Sequence, residues 1–179
     1  MLLAAGFLWG QELRPCDDCL PGVTNFAKVD QALWRGGQPT AEGFKALQKA
    51  GVRTIISFRH DHDDAELLKG TGLRYLRLPS RAWHGQMSDL ALFLKVMEDP
   101  SHWPVFVHCA QGRDRTGYNV AAYRMAIQGW SAERAIQEME IFHFNAIWIG
   151  NKRFLRRLNL DDLRARVKAA PMPELRVIP

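Results

Sequence analysis

The sequence predicts an α/β domain, a mostly parallel sheet covered by helices. Three observations predict it. From Val52 to Gln128 strand-type and helix-type segments alternate, the pattern of parallel strands joined by covering helices. The chain has 179 residues, 47% hydrophobic and 24% charged, which suits one compact core and is too apolar for disorder. An apolar run, Pro104 to His108, passes through a short loop into a helix near Arg115, and ligands of open α/β sheets bind just outside such strand ends.

Taken in order, residues 24–35, TNFAKVDQALWR, read as two short strands about Asp30-Gln31. Gly36-Gly37-Gln38-Pro39 breaks the chain, and Thr40 caps a helix that runs to about Ala50 and stops at Gly51. Val52 to Phe58, rich in β-branched residues, is a buried strand. Asp61–Lys69 is a short helix, and Leu73 to Leu78 is a strand ended by Pro79. Ser88 caps a helix to about Glu98, with Leu90, Phe93, Leu94 and Met97 at core spacing. Pro104 to His108 is the next strand, Arg115 to Gln128 a helix stopped by Gly129, and Ser131 the cap of another. Residues 151–169 carry one or two terminal helices, with a break near Asn159. The domain is expected over residues 23–170, with 171–179 as a tail.

Residues 1–22 read as a signal-like or irregular segment. Residues 2–10, LLAAGFLWG, are apolar and precede polar QELRP, as the h-region of a secretory signal does. They lack a basic n-region, and Leu8 and Gly10 make a poor cleavage site. The reading leans towards a periplasmic or secreted protein over a cytoplasmic one. No apolar run approaches the roughly 20 residues that span a bilayer. Cys16 and Cys19 form a C-x-x-C that neither follows a strand nor opens a helix, so redox catalysis is set aside. A local disulfide and two plain thiols both stay open. Arginine supplies 17 of the 24 basic residues, and the formal net charge is +5. That balance favours anionic partners, since the guanidinium fork suits phosphate and carboxylate oxygens.

Residues 104–117, PVFVHCAQGRDRTG, carry the chemistry. Cys109 ends the strand. The loop Ala110, Gln111, Gly112, Arg113 can wrap its amides around an anion while the helix N-terminus faces it. The amides, the helix dipole and Arg115 all favour a Cys109 thiolate, a nucleophile at neutral pH. Arg115 can fold back and grip two phosphate oxygens. Gly112 allows close backbone approach, and Thr116 can offer its hydroxyl to the sulfur. A Cys followed by Arg at six residues is a weak signal alone. The flanking His108, the loop glycine, Thr116-Gly117 and the strand–loop–helix context make it specific.

HCAQGRDRTG resembles the signature of cysteine-dependent protein tyrosine phosphatases, in their compact dual-specificity branch. LWRGGQPTAEGFKALQKAGVRTIISFR and YNVAAYRMAIQGWSAERAIQEM are similar to bacterial members, some of them exported. The resemblance covers about residues 24–160. It implies the dual-specificity phosphatase fold with a central sheet of four or five strands, a phosphocysteine intermediate and no metal or other cofactor. It makes Cys109 the nucleophile and Arg115 the phosphate clamp, with His108 orienting the loop and lowering the thiol pKa.

The family usually places its general-acid Asp on the loop before the helix that precedes the signature strand. Here that loop, Pro79 to Met87, has no carboxylate. Three groups are candidates, in the order Asp114, Asp89, His84, with His84 otherwise a substrate contact. The Gly112-x-Asp114-Arg115-Thr116 pattern resembles myotubularins, Sac-type phosphoinositide phosphatases and secreted bacterial phosphatases, in several of which the loop Asp is the acid. Arg113 beside the clamp suits a substrate with more than one phosphate, and Arg59, His60, Arg81 and Lys152 are either additions to a basic rim or, as is commoner for any one of them, solvated surface charges. Trp83 either closes over the site or packs. The run His60-Asp61-His62-Asp63-Asp64 is read as a solvated loop, not a metal site.

The expected activity is hydrolysis of phosphomonoesters, on inositol phosphates or phosphoinositides first. A dual-specificity or tyrosine phosphatase acting on phosphoproteins is the alternative, and a non-catalytic phosphate-binding module the remote one. Partners are therefore a phosphorylated small molecule, a lipid headgroup or a phosphoprotein. No nucleic acid and no integral membrane span are expected, and the chain is expected to be a monomer.

Overall fold

The structure is a computed structural model that describes residues 12–179. The apolar run at residues 2–10 lies outside the described residues. The strands are β1 (Ala27–Lys28), β2 (Leu33–Gly36), β3 (Thr54–Ser57), β4 (Arg74–Arg77), β5 (Val105–His108) and β6 (Arg176–Val177). The helices are α1 (Ala41–Lys49), α2 (Ala65–Leu68), α3 (Met87–Met97), α4 (Asp114–Ala126), α5 (Ala132–Ile141), α6 (Ile149–Arg156) and α7 (Leu160–Ala169). The sheet order is β1-β2-β5-β3-β4-β6. β2, β5, β3 and β4 run parallel, and β1 and β6 are antiparallel edges.

Both faces of the central strands are buried, which is why they read as continuous apolar runs. The period-2 alternation sorts them between two layers. Val105 and Val107 of β5 and Ile56 of β3 meet the layer that holds Phe93, Val120, Met139 and Leu163. Phe106 and Ile55 point the other way, onto Phe44, Leu47 and Leu68 of α1 and α2. Each such fully buried side chain contributes about 1.5–3 kcal/mol.

Local capping decides several helix ends. Thr40 Oγ1 accepts from Gly43 N at 3.1 Å, and Ser131 Oγ from Arg134 N at 3.3 Å. Asn159 Oδ1 accepts from Asp161 N and Asp162 N, separating α6 from α7. Three expectations shift. Ser88 is not a cap: α3 starts at Met87 behind an extended Gln86, and the Ser88 hydroxyl donates to Asp89 at 3.2 Å. Asn151 grips Ala82 O and Gly85 N just upstream, so entry into α3 follows that tertiary clamp. The helix at Asp61–Lys69 shrinks to α2, because Asp64 turns inward and Asp63 Oδ1 takes Ala65 N at 2.9 Å. Among the described residues the sheet has six strands, where four or five were expected. The sixth, β6, pairs with β4 and sets Ile178 into the core beside Leu73. Cys16 and Cys19 form a disulfide with Cα atoms 5.6 Å apart.

Candidate active site

The parallel register brings Gly36 of β2, His108 of β5 and Ser57 of β3 to one edge of the sheet. There the chain leaves β5 as Cys109–Arg113 and enters α4 at Asp114. Cys109 is only 3% exposed. The carbonyls of Cys109 to Gly112 are engaged from outside. His108 Nδ1 lies 3.4 Å from Cys109 O, and Gln38 N donates to Ala110 O at 3.1 Å. Asn25 Nδ2 donates to Gln111 O at 3.0 Å, and Arg35 Nη2 to Gly112 O at 2.9 Å. A peptide plane points its N–H opposite its C=O. The N–H groups of Ala110, Gln111, Gly112 and Arg113 therefore face the loop's interior, and among the described residues they donate to no protein atom. Four converging amides at a helix N-terminus form an anion cradle.

Gly112 is required twice over. Its φ of +69° is left-handed, and a Cβ there would lie 2.5 Å from Gly36 C and O. Arg115, in the first turn of α4, donates from Nη1 to Phe58 O at 3.4 Å, and Phe58 N in turn donates to His108 O at the end of β5. Arg115 lines a cleft of about 270 Å³ with His60, Asp61, Ser80, Arg81, Ala82 and Trp83. Thr116 is fully buried just below, and its Oγ1 has no hydrogen-bond partner among the described residues.

His108 is buried, with Nε2 3.1 Å from Asp64 Oδ2. Asp64 is buried too, which overturns the solvated-loop reading for that residue. Burial pushes its carboxyl up, but hydrogen bonds from His108 and Gln38 outweigh it and leave the pKa below the ordinary value. Asp61 pairs with Arg59, and Asp63 with Arg176. Among the described residues no cluster of three or more His, Cys, Asp or Glu side chains is disposed to hold a metal.

The acid candidates separate. Asp114 Oδ1 accepts from Asn145 N at 2.8 Å, at the first position of α4. Asp89 is half-buried in the first turn of α3, and burial raises its pKa against hydrogen bonds from Ser88 and Ser80 and the nearby charge of Arg81. His84 does not join the cleft. It faces a second cavity with Met87, Arg153, Phe154 and Arg157. Arg113 is drawn aside too, its Nε donating to His143 O. Trp83 is 57% exposed on the cleft wall, 6.4 Å from the Trp148 ring.

Sequence reasoning missed Arg35, Asn25 and Asp64. Arg35 is fully buried beneath the loop, stacked 3.8 Å over Phe142. Burial pushes its pKa down to about 10, opposed by the negative charge of Glu138. A signal existed: an Arg inside the otherwise buried strand Leu33–Gly36, followed by Gly-Gly, has no partner in its own segment.

The family described as "DSP-PTPase phosphatase fused to NAD+ Kinase" matches residues 22–157. The chain belongs to the DSP-PTPase family of cysteine-dependent phosphatases. This DSP-PTPase chain is similar to Dual specificity protein phosphatase TpbA of Pseudomonas aeruginosa PAO1, at 31% identity over 133 residues. The match covers 74% of the chain and 57% of that relative, so the chain spans little more than half its length. The crystal structure of P. aeruginosa TpbA superposes with a TM-score of 0.72 at 27% identity, over 87% of this chain and 96% of that one. TpbA in complex with pTyr superposes at 0.71 and 28%, over 82% and 91%. Inositol diphosphatase DSP3 of Arabidopsis thaliana is 28% identical over 131 residues, 69% of this DSP-PTPase chain and 64% of the relative.

Proposed function

We propose that the chain hydrolyses phosphomonoesters through a phosphocysteine intermediate, with phosphotyrosine-bearing proteins as its substrate class. The observation that carries this is the cradle: four inward amides in the loop that follows Cys109, with Arg115 in the first turn of the helix that the loop enters. The amides and Arg115 hold the three non-bridging oxygens. Cys109 Sγ attacks phosphorus as the ester P–O bond breaks, and Asp114 gives the leaving oxygen its proton. Water then attacks the phosphocysteine, returning a proton to Asp114 and releasing phosphate and the Cys109 thiolate. Thr116 Oγ1, buried and unpartnered among the described residues, donates to the departing sulfur. His108, held by Asp64, keeps the strand end and Cys109 O in place.

Trp83 supports the substrate class. An exposed indole on the wall of the Arg115 cleft offers a flat apolar face to a phosphotyrosine ring. The pTyr complex of TpbA supports the same reading. His60 and Arg81 on that cleft favour a second reading, inositol phosphates bearing several phosphates, in line with the Arabidopsis relative.

The test is phosphate release from a phosphotyrosine peptide, inositol polyphosphates and phosphoinositide vesicles. The peptide is expected to give the highest kcat/KM, and Cys109→Ser to abolish turnover of all three. A preference for inositol polyphosphates would move the conclusion to the second reading. Turnover that survives in Cys109→Ser would end the phosphocysteine mechanism.

A further inference from the structure

Three of the loop's outer anchors belong to the sheet or its immediate continuation: Arg35 in β2, Gln38 just after it, and His108 in β5. The fourth, Asn25, does not. It reaches Gln111 O across 86 residues of sequence, from a strap that precedes β1. Asn25 is 6% exposed, and its backbone is left-handed at φ 52°. Its own N–H donates to the Asp17 carboxylate, at 2.7 Å. Asp17 lies in the four-residue turn closed by the Cys16–Cys19 disulfide. One end of that turn is fastened by two 2.9 Å hydrogen bonds between Cys16 and Phe26. The rest, Asp17, Asp18 and Cys19, is exposed, so little packing holds it. The disulfide closes the turn that carries Asp17 to Asn25 N.

We propose that Asn25 is a positioning residue for the catalytic loop, set by the disulfide-closed turn, so that oxyanion binding weakens when Cys16–Cys19 is reduced. The chain of contacts is continuous: disulfide, Asp17, Asn25 backbone, Asn25 amide, Gln111 carbonyl. Gln111 O shares its peptide plane with the inward N–H of Gly112. Losing the anchor lets that plane rotate, which removes an amide from the cradle and turns a carbonyl towards the anion. The redox step balances: a dithiol attacks Cys19 or Cys16, a mixed disulfide forms and is resolved, the dithiol becomes a cyclic disulfide, and both cysteines leave as thiols. Cys19 is exposed to such a reagent while Cys109 is buried. An oxidising compartment would keep the turn closed. The inference rests on the cradle reading above, but its readout is anion binding and does not require turnover.

The experiment measures tungstate affinity by calorimetry on the full chain, with near-UV circular dichroism as the check on folding. Asn25→Gly keeps the left-handed backbone and deletes only the amide. It is expected to weaken tungstate about tenfold, the worth of one buried hydrogen bond. Asp17→Ala and the Cys16→Ser/Cys19→Ser pair are expected to weaken it about three- to tenfold. Asp17→Asn, which keeps an acceptor oxygen, is expected to recover most of the loss. Dithiothreitol is expected to weaken binding by wild type and leave the double-serine variant unmoved, which separates the turn from Cys109. Wild-type affinity in folded Asn25→Gly overturns the positioning role. If Asn25→Gly does not fold, the dithiothreitol response of wild type decides: unchanged affinity after both thiols have appeared by mass spectrometry overturns the coupling. Wild type that binds tungstate but turns over no phosphomonoester would instead refute the proposed function and leave this inference standing.

Discussion

Replacing Gly112 with Ala measures how tightly the cradle is built, and Gly129 supplies the control. Both glycines have φ +69°. A Cβ at Gly129 meets nothing within 4 Å. Gly129→Ala therefore costs only the left-handed strain, about 1–2 kcal/mol. In a chain of this size that lowers Tm by about 2–4 °C per kcal/mol. A Cβ at Gly112 would sit 2.5 Å from Gly36 C and O and 2.6 Å from Gly37 N, all backbone. Neither side is a flexible side chain that can swing away. The loop must withdraw by about 1 Å, and a misplacement of that size costs on the order of 10²-fold in rate. Overpacking adds about 1–3 kcal/mol to the same strain, so Gly112→Ala loses about 2–5 kcal/mol and still folds, given a typical stability of 5–15 kcal/mol. The assay is kcat/KM on an aryl phosphate beside thermal melts of both variants. Gly112→Ala is expected to lose about 100-fold in activity while Gly129→Ala stays near wild type. If the two variants fall within about threefold of each other, the tight contact between loop and β2 end is not what shapes the cradle.

Three further outcomes are expected. Arg35→Met removes a charge-assisted hydrogen bond worth about 1.5–3 kcal/mol and a desolvation penalty of several kcal/mol. Its melting temperature should stay near wild type while tungstate affinity falls about tenfold; unchanged affinity would show that Gly112 O needs no anchor. Asp114→Asn should lose about 10²–10⁴-fold on alkyl phosphates and little on nitrophenyl phosphate, whose leaving group needs no proton. Equal losses on both would make Asp114 a scaffold residue, and a leaving-group-dependent loss in Asp89→Asn would move the acid to α3. Asp64 has a depressed pKa, so its stabilisation is complete above the unfolded value of about 3.9 and is lost as pH falls through the folded value. Urea melts of Asp64→Asn should therefore lose stability less steeply than wild type below about pH 4; parallel slopes would count against the buried Asp64–His108 pair as the cause.

The local features were legible in the sequence because their causes are local. Thr40, Ser131 and Asn159 cap helices through atoms two or three residues away. The strand–loop–helix at residues 104–117 needs only β-branched residues, one glycine and a helix start, so Cys109 at the strand end, Gly112 in the loop and Arg115 in the helix are legible in the chain itself. The tertiary structure decided what depends on distant partners. Arg35 and Asn25 grip loop carbonyls 77 and 86 residues away, and no spacing rule reaches that far. Asp64 looked like one more charge in an acidic run until folding set it against His108. His84 sat in the expected acid loop, yet the Asn151 clamp leaves it facing a different cavity. β6 has two residues, too few to show a period, and exists because β4 had an open edge to pair with. Backbone propensity and capping act over one turn or one strand, so sequence could place the loop. What holds its carbonyls outward is assembled only when segments far apart in the chain are packed together.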